Sequence, residues 1–429
     1  MRNPIARGLR SLGPAVVCYL ITTGLVGFAV DGGIYSVLLN LFLLRLGYGP
    51  AEVGVVNAAG TFSFALASLP AGLLGARWGS GRMMLGGLAM MLAGGVLLPL
   101  ADTLAPAWRM PWLIGFIVLS YLGLAVFFVN TAPFLMATVA PERRTHVVGL
   151  QTAMISLSAF AGSLVGGALP PLFARLSGAD LSGPAPYRYA LILAGLSLIG
   201  AMAAIARAQA LAPRRPAPAD AAAPPRVGGL LAPIAGLLAL IALVRVLQVA
   251  GVAAVTTYAN VYLDDALHVP TAMIGAIIAT GRLVGAGAAL TTSGLSRRFG
   301  NWSVVLWASV VSALSILPIA LVPHWGAVAV SFTAAVALSW VRYAASLVYF
   351  LELVPEEARP ATSGVLEMAG GLCFTLVTFG GGRLIADFGY SSLFLAAAGL
   401  TALSAAAFWL LFRGRVGLAE PRPAPTEAL

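Results

Sequence analysis

The sequence predicts an all-α membrane protein with twelve transmembrane helices in two pseudo-symmetric six-helix bundles. Of its 429 residues, 60% are hydrophobic and 9% are charged, whereas a soluble domain carries roughly 25% charged residues. Lipid must therefore be the solvent for most of the chain. The 49 glycines and 27 prolines fit this class, because both residues are common in transmembrane helices.

The two halves of the chain share a residue pattern. Asn40 recurs as Asn260, and Arg77 recurs as Arg298, in each case about 220 residues later. Both copies lie in strongly apolar surroundings. A repeat of this length in an apolar chain indicates two related helix bundles around a central path.

Apolar segments long enough to cross a bilayer follow one another along the chain, and such a helix needs about 20 mostly apolar residues. The twelve predicted spans are 14–44, 51–75, 83–101, 112–139, 147–170, 187–207, 230–262, 271–293, 303–322, 327–353, 361–385 and 391–412. Residues 210–229 are rich in proline, alanine and arginine, which predicts an extended linker. The predicted domains are therefore a bundle at 1–209, a cytoplasmic linker at 210–229, and a bundle at 230–429 with a short tail.

The basic residues predict the orientation. All 25 are arginine, and most of those outside the spans fall at the end that carries both termini and the linker. The positive-inside rule places that end in the cytoplasm and predicts a multi-pass protein of the inner (plasma) membrane. The charge of +10 is interpreted as this anchoring and not as nucleic-acid binding. The N-terminal apolar run has no A-x-A site, so it is read as an uncleaved first helix.

Two arginine- and glycine-rich segments follow equivalent spans. GLLGARWGSGR (72–82) follows span two, and GLSRRFG (294–300) follows span eight. They resemble the signature of the major facilitator superfamily, roughly G-x-L-a-D-R-x-G-R-R. The resemblance implies that fold, secondary transport by alternating access, a monomer, and a conformational role for Gly72, Arg77, Gly79, Arg82, Arg297 and Arg298. Ala76 replaces the acid that latches one conformation in the family.

Five charged residues fall well inside the predicted spans: Asp31, Arg245, Arg282, Arg342 and Glu367. Each costs roughly 2.5–3.5 kcal/mol at a helix centre, so they are predicted to face a wet central cavity or one another. Asp31 is expected on one helical face with Tyr35. A desolvated carboxylate can exchange a proton within a usable pH range, which makes Asp31 and Glu367 candidate proton-coupling groups.

The candidate substrate-binding residues are Tyr35, Arg245, Gln248, Arg282 and Arg342. Arg245 and Gln248 lie three residues apart and so share a helical face. The fork of N–H donors on arginine suits a carboxylate or a phosphate. Three arginines against two acids leave one surplus positive charge, which favours an anionic or zwitterionic ligand.

Structural pairing is the alternative for these charges. Arg245 would then be the fixed partner of Asp31, while Arg342 or Arg282 would pair with Glu367. The residues alone leave both interpretations open.

A secondary transporter is the function that the sequence favours. The first candidate function is proton-coupled efflux of a small amphipathic compound, and the alternative is uptake or exchange of an organic anion bound by the intramembrane arginines. A polytopic membrane enzyme is disfavoured, because the sequence shows no catalytic constellation and no G-x-x-x-x-G-K-[ST] loop. The expected partners are a small-molecule substrate, protons and the lipid bilayer, with no cofactor, metal or nucleic acid; Cys18 and Cys373 are interpreted as packed thiols.

Overall fold

The computed structural model describes residues 13–211, 234–355 and 358–414, which contain no strand, so the all-α prediction is confirmed. The helices of the first half are α1 (Pro14–Ala29), α2 (Ile34–Arg45), α3 (Pro50–Trp78), α4 (Ser80–Leu97), α5 (Pro106–Thr138), α6 (Pro141–Ser177) and α7 (Ala185–Leu211). A 3₁₀ turn at Leu98–Thr103 separates α4 from α5. The second half contains α8 (Ala235–Asp265), α9 (Thr271–Phe299), α10 (Asn301–Leu321), α11 (Trp325–Glu352), α12 (Arg359–Phe388) and α13 (Tyr390–Phe412).

Glycine makes two equivalent one-residue turns in the two halves. Gly79 is the single residue between α3 and α4, and Gly300 is the single residue between α9 and α10. Their φ angles of 90° and 78° lie in the left-handed region, which glycine adopts without strain. Both glycines belong to the two signature-like segments, so the repeat in the sequence is also a repeat in the backbone.

Eleven segments of the described ranges are long and apolar enough to cross a membrane. The helix α3 is not one of these eleven, but it occupies predicted span two and, at 29 residues, is longer than either neighbour along the chain, α2 or α4. With α1 and α2 counted as one span, the helices agree with the twelve predicted spans.

The first predicted span is broken near its middle. The helix α1 ends at Ala29 and α2 begins at Ile34, with a turn at Val30–Gly33 between them. Gly32 has a φ of 86°, which a helix cannot accommodate. Asp31 therefore lies in the break, and the prediction that it shares a helical face with Tyr35 was wrong.

The two sets of helices meet mainly where α3 packs on α12 and α6 packs on α9. At the second crossing a Cβ on Gly275 would lie 2.6 Å from the carbonyl oxygen of Ser163 and 2.8 Å from the Cα of Gly167. Small residues permit this close approach. Because successive spans run in opposite directions, the turns between spans alternate between two ends of the molecule, which we name the Arg45 end and the Arg77 end.

The predicted domain boundaries fall close to the edge of the described ranges. The helix α7 continues through Leu211, past the predicted start of the linker, and residues 212–233 lie outside the described residues. The division into 1–209, 210–229 and 230–429 stays a prediction, as does the cytoplasmic position of the termini.

Candidate functional site

A cavity of about 1060 Å³ lies between the two halves. The structure places all five intramembrane charges in its lining: Asp31, Arg245, Arg282, Arg342 and Glu367. The first half contributes apolar side chains to the lining, among them Leu39, Phe64, Met91, Ile117, Leu124 and Leu198, together with the polar Ser36, Asn40, Asn57, Thr61, Ser68 and Ser120. The second half contributes the three arginines and Glu367, and the first half contributes Asp31.

The break between α1 and α2 brings Asp31 towards the opposite half. Arg282 of α9 lies within electrostatic reach of Asp31. Its guanidinium packs against the break, because a Cβ on Gly32 would lie 3.4 Å from the Cζ of Arg282. The Ser163 hydroxyl donates to the carbonyl oxygen of Gly32 at 2.6 Å and holds the turn. Asp31 is thus matched with Arg282 across the halves, and not with Arg245 as the structural alternative proposed.

A second charged group forms around Arg245 of α8. Its guanidinium lies over the ring of Tyr343, with 4.9 Å between Cζ and the ring centroid. The Tyr343 hydroxyl donates to Oε1 of Glu367 at 2.7 Å. Glu367 is exposed to the cavity. The aromatic ring therefore links an arginine to a carboxylate that does not itself form an ion pair within the described ranges.

Arg342 of α11 is the most deeply buried of these charges, at 2% exposure. Its Nη2 donates to the backbone carbonyl of Gln248, while its Nη1 is buried without a hydrogen-bond partner in the described part of the chain. Neither Arg342 nor Arg282 forms the expected ion pair with Glu367 among the described residues. The pairs expected for Glu367, with Arg342 or with Arg282, are therefore not formed in this conformation.

Tyr35 and Gln248 differ in their relation to the cavity. Tyr35 lines it, and its hydroxyl donates to the carbonyl oxygen of Gly95. Gln248 is fully buried, its side-chain amide has no partner within the described residues, and it is not part of the cavity wall. The substrate-binding roles predicted for both residues stay predictions.

Comparison with known proteins identifies the fold. A model described as Major Facilitator Superfamily matches residues 20–344 of this chain. The chain belongs to the major facilitator superfamily. No curated protein sequence matches it. The resemblance seen in the signature-like segments is thereby confirmed, and the family indicates a transporter and not an enzyme.

Solved superfamily structures share the architecture at low sequence identity. The nucleoside transporter NupG aligns with a TM-score of 0.71 and 15% identity over 93% of this chain and 99% of its own. A D-xylose–proton symporter gives 0.71 and 14% over 92% and 97%. A bacterial homologue of the iron transporter ferroportin, in an inward-facing state, gives 0.66 and 17% over 92% and 97%. At these identities the comparison shows the fold alone.

The signature residues of this superfamily member lie at the Arg77 end, away from the cavity. The side chains of Arg77, Arg82, Arg297 and Arg298 are all exposed. Gly72 is half-buried in α3, and Gly79 forms the turn described above. The turn accounts for the glycine physically, while the conformational role of the arginines stays a prediction.

Sequence analysis missed a polar network that joins the halves at the Arg45 end. Arg45 and Asp264 form a bidentate ion pair with N–O distances of 2.6 and 2.7 Å. Nδ2 of Asn40 donates to the carbonyl of Thr257 at 2.8 Å and to Oδ1 of Asn260 at 3.2 Å. The repeat contained a signal for this contact, because Asn40 and Asn260 are equivalent positions and equivalent helices meet at the pseudo-symmetry axis.

Proposed function

We propose that this protein is a secondary active transporter that works by alternating access and couples the movement of its substrate to protons through Asp31. The observation that carries the proposal is the position of Asp31. It lies in a helix break, in the lining of the central cavity, and it approaches Arg282 from the other half. The charge of a carboxylate at this place depends on its protonation, and its attraction to Arg282 depends on the distance between the two halves.

Alternating access is supported by the distribution of contacts between the halves. The ion pair of Arg45 with Asp264 and the bonds of Asn40 join the halves at one end. From there the cavity extends towards the Arg77 end, where its lining reaches Gly364 in the second turn of α12. A central site that is closed at one end is the geometry that rocking of two bundles would invert.

Proton coupling is supported by the electrostatics of the break. When Asp31 is ionised, it attracts Arg282 through a medium of low dielectric constant. When Asp31 is protonated, that attraction between the halves is lost. The protonation state of one residue would therefore bias the equilibrium between the two conformations.

Reconstituted flux tests the proposal. Purified protein would be screened by thermal shift against drugs, sugars, amino acids, lipids and organic acids at two pH values, and the best ligand would be used as the transported solute in proteoliposomes. We expect accumulation against a concentration gradient when a pH gradient is applied. Asp31→Asn should abolish this uphill accumulation but leave exchange down a concentration gradient partly intact.

Asp387→Asn is the matched control, since Asp387 is an exposed carboxylate near the end of α12. It should transport as the unchanged protein does. Full uphill transport by Asp31→Asn would end the proposal for Asp31. The sense of the pH gradient that drives accumulation also distinguishes the predicted efflux from uptake.

A further inference from the structure

We propose that the substrate is an amphipathic organic anion whose carboxylate or phosphate binds between Arg245 and Arg342, with its apolar body against the wall of the first half. The inference rests on the proposed transport function and names the substrate class of the same cavity. It is carried by three features of the described residues: unsatisfied N–H groups on two arginines, the absence of an ion pair between either arginine and a carboxylate, and a cluster of apolar side chains from the first half in the same cavity.

The two guanidinium groups retain unused donors. The Nε of Arg245 and the Nη1 of Arg342 are both buried without a hydrogen-bond partner in the described part of the chain. A buried donor without a partner costs about 1–3 kcal/mol, and more when the group is charged. These donors belong to two residues of the same cavity wall. One oxyanion between them would satisfy both.

Their charges are also only partly compensated. Arg245 and Arg342 lie close enough to repel each other electrostatically. The carboxylate of Glu367 attracts Arg245 electrostatically, but it accepts the hydroxyl of Tyr343 and forms no ion pair with either arginine within the described ranges. Two like charges held together at low dielectric constant are stabilised by a shared counter-ion. A substrate anion supplies that charge only while it is bound.

The helix α12 approaches Arg245 with a glycine. Gly370 of α12 lies beside the guanidinium, where a Cβ would contact Nε at 3.5 Å and Nη2 at 3.6 Å. Gly371 follows it in the cavity lining. Any larger side chain at residue 370 would occupy the space in front of the donors.

Apolar side chains in the same cavity favour an apolar body for the rest of the ligand. Met91, Ile117, Leu124 and Leu198 of the first half line the same cavity. Apolar surface buried against them contributes roughly 25 cal/mol per Å². A small polar anion would leave these apolar side chains uncovered, whereas an aromatic or aliphatic acid would contact both them and the arginines. The two ligand classes suggested by the sequence, amphipathic and anionic, are thus combined in one molecule.

Binding to the purified protein in lipid nanodiscs, without any ion gradient, tests the inference separately from transport. The probes are naphthoate, naphthyl phosphate and decanoate, each compared with its uncharged amide or alcohol. We expect the anions to bind at least about tenfold more tightly than their neutral counterparts, because each charge-assisted hydrogen bond is worth roughly twice a neutral one. A preference of the phosphate over the carboxylates, or the reverse, identifies the head group.

Variants of the two arginines locate the site. Arg245→Gln and Arg342→Gln should each weaken anion binding about tenfold or more and leave the neutral probes unchanged. Arg383→Gln, which removes an exposed arginine outside the cavity wall, should change neither. If Arg342→Gln does not fold, Arg342→Lys keeps the charge, removes the fork of donors, and should still weaken binding.

Equal affinity for charged and neutral probes would overturn the inference, as would no binding of any anion or full binding by both glutamine variants. Those results leave the proposed function standing if a neutral solute is still driven uphill by a pH gradient. Conversely, anion binding without gradient-driven flux would contradict the transport proposal and leave this inference intact.

Discussion

Loss of the ion pair between Arg45 and Asp264 should open the Arg45 end of the molecule. The pair joins α2 of the first half to α8 of the second through two N–O contacts of 2.6 and 2.7 Å. In Arg45→Gln the carboxylate of Asp264, whose side chain is 6% exposed, loses its charged partner in the closed conformation. If that end opens, water can hydrate the carboxylate. The substitution therefore penalises the closed conformation alone.

The size of the effect follows from burial. Exposed ion pairs contribute about 0.2–1 kcal/mol, and breaking a buried pair costs about 3–5 kcal/mol. Arg45 is 22% exposed and Asp264 is 6% exposed, so the pair lies between these limits. A value of about 2 kcal/mol corresponds to a shift of roughly 30-fold in the ratio of closed to open molecules. The contact of Arg45 with the ring of Tyr187, at 5.1 Å, lies within one half and should cancel from this difference.

Pulsed electron paramagnetic resonance between spin labels can measure the shift. Labels at Ala105→Cys and Val322→Cys, in a background without the two native cysteines, would report the separation of the halves, since both positions are exposed at the Arg45 end. We expect a longer-distance population to appear in Arg45→Gln. The charge-swapped protein, Arg45→Asp with Asp264→Arg, should reduce it again.

The control is the ion pair of Arg188 with Asp102, at 2.7 Å and with side chains 18% and 7% exposed. It has similar chemistry and burial but lies within the first half. Asp102→Asn should therefore lower thermal stability without changing the label distances. An unchanged distance distribution in Arg45→Gln, or an equal shift in Asp102→Asn, would refute the reasoning.

Two further substitutions test the packing. Gly275→Leu should also lengthen the label distance, because even a Cβ at this position would lie 2.6 Å from the carbonyl oxygen of Ser163; unchanged distances would show that α6 and α9 can separate without opening that end. Gln248→Leu should leave the melting temperature unchanged or raise it, since both polar atoms of this fully buried amide lack partners in the described residues. A fall of several degrees would show that the amide makes an unseen contact.

The helices could be predicted from the sequence because a long apolar run has few alternatives in lipid. The break in the first span could not. Gly32 and Gly33 permit a turn, but glycine is also common in continuous transmembrane helices. A hydropathy pattern contains no information on backbone conformation. The break is held by a distant contact, the hydroxyl of Ser163 on the carbonyl of Gly32, which the local sequence does not contain.

The candidate site could likewise be predicted from the sequence only in part. The cost of burying charge required the intramembrane residues to face water or one another, and that argument needs no coordinates. The choice of neighbours depends on the depth and rotation of helices from opposite halves. Asp31 consequently lies near Arg282 and not Arg245, and Glu367 accepts a hydrogen bond from Tyr343. No feature of the sequence indicates which arginine lies near which carboxylate.

The unequal charges of the two halves determine how a proton and an anion would be coupled. Asp31 of the first half interacts with Arg282 of the second, and the same cavity is lined by Arg245, Arg342 and Glu367 of the second half. A bound anion neutralises part of that positive charge and places a like charge in the same cavity as Asp31. Both changes favour the protonated carboxyl. By reciprocity, a proton on Asp31 favours binding of the anion.

Proton and substrate would then bind together and cross together, so an inward proton gradient would drive uptake. Efflux, the first sequence-based prediction, requires the opposite linkage, in which the proton displaces the substrate. A neutral or cationic substrate would remove the repulsion on which this argument depends, so the charge of the ligand determines the sense of coupling.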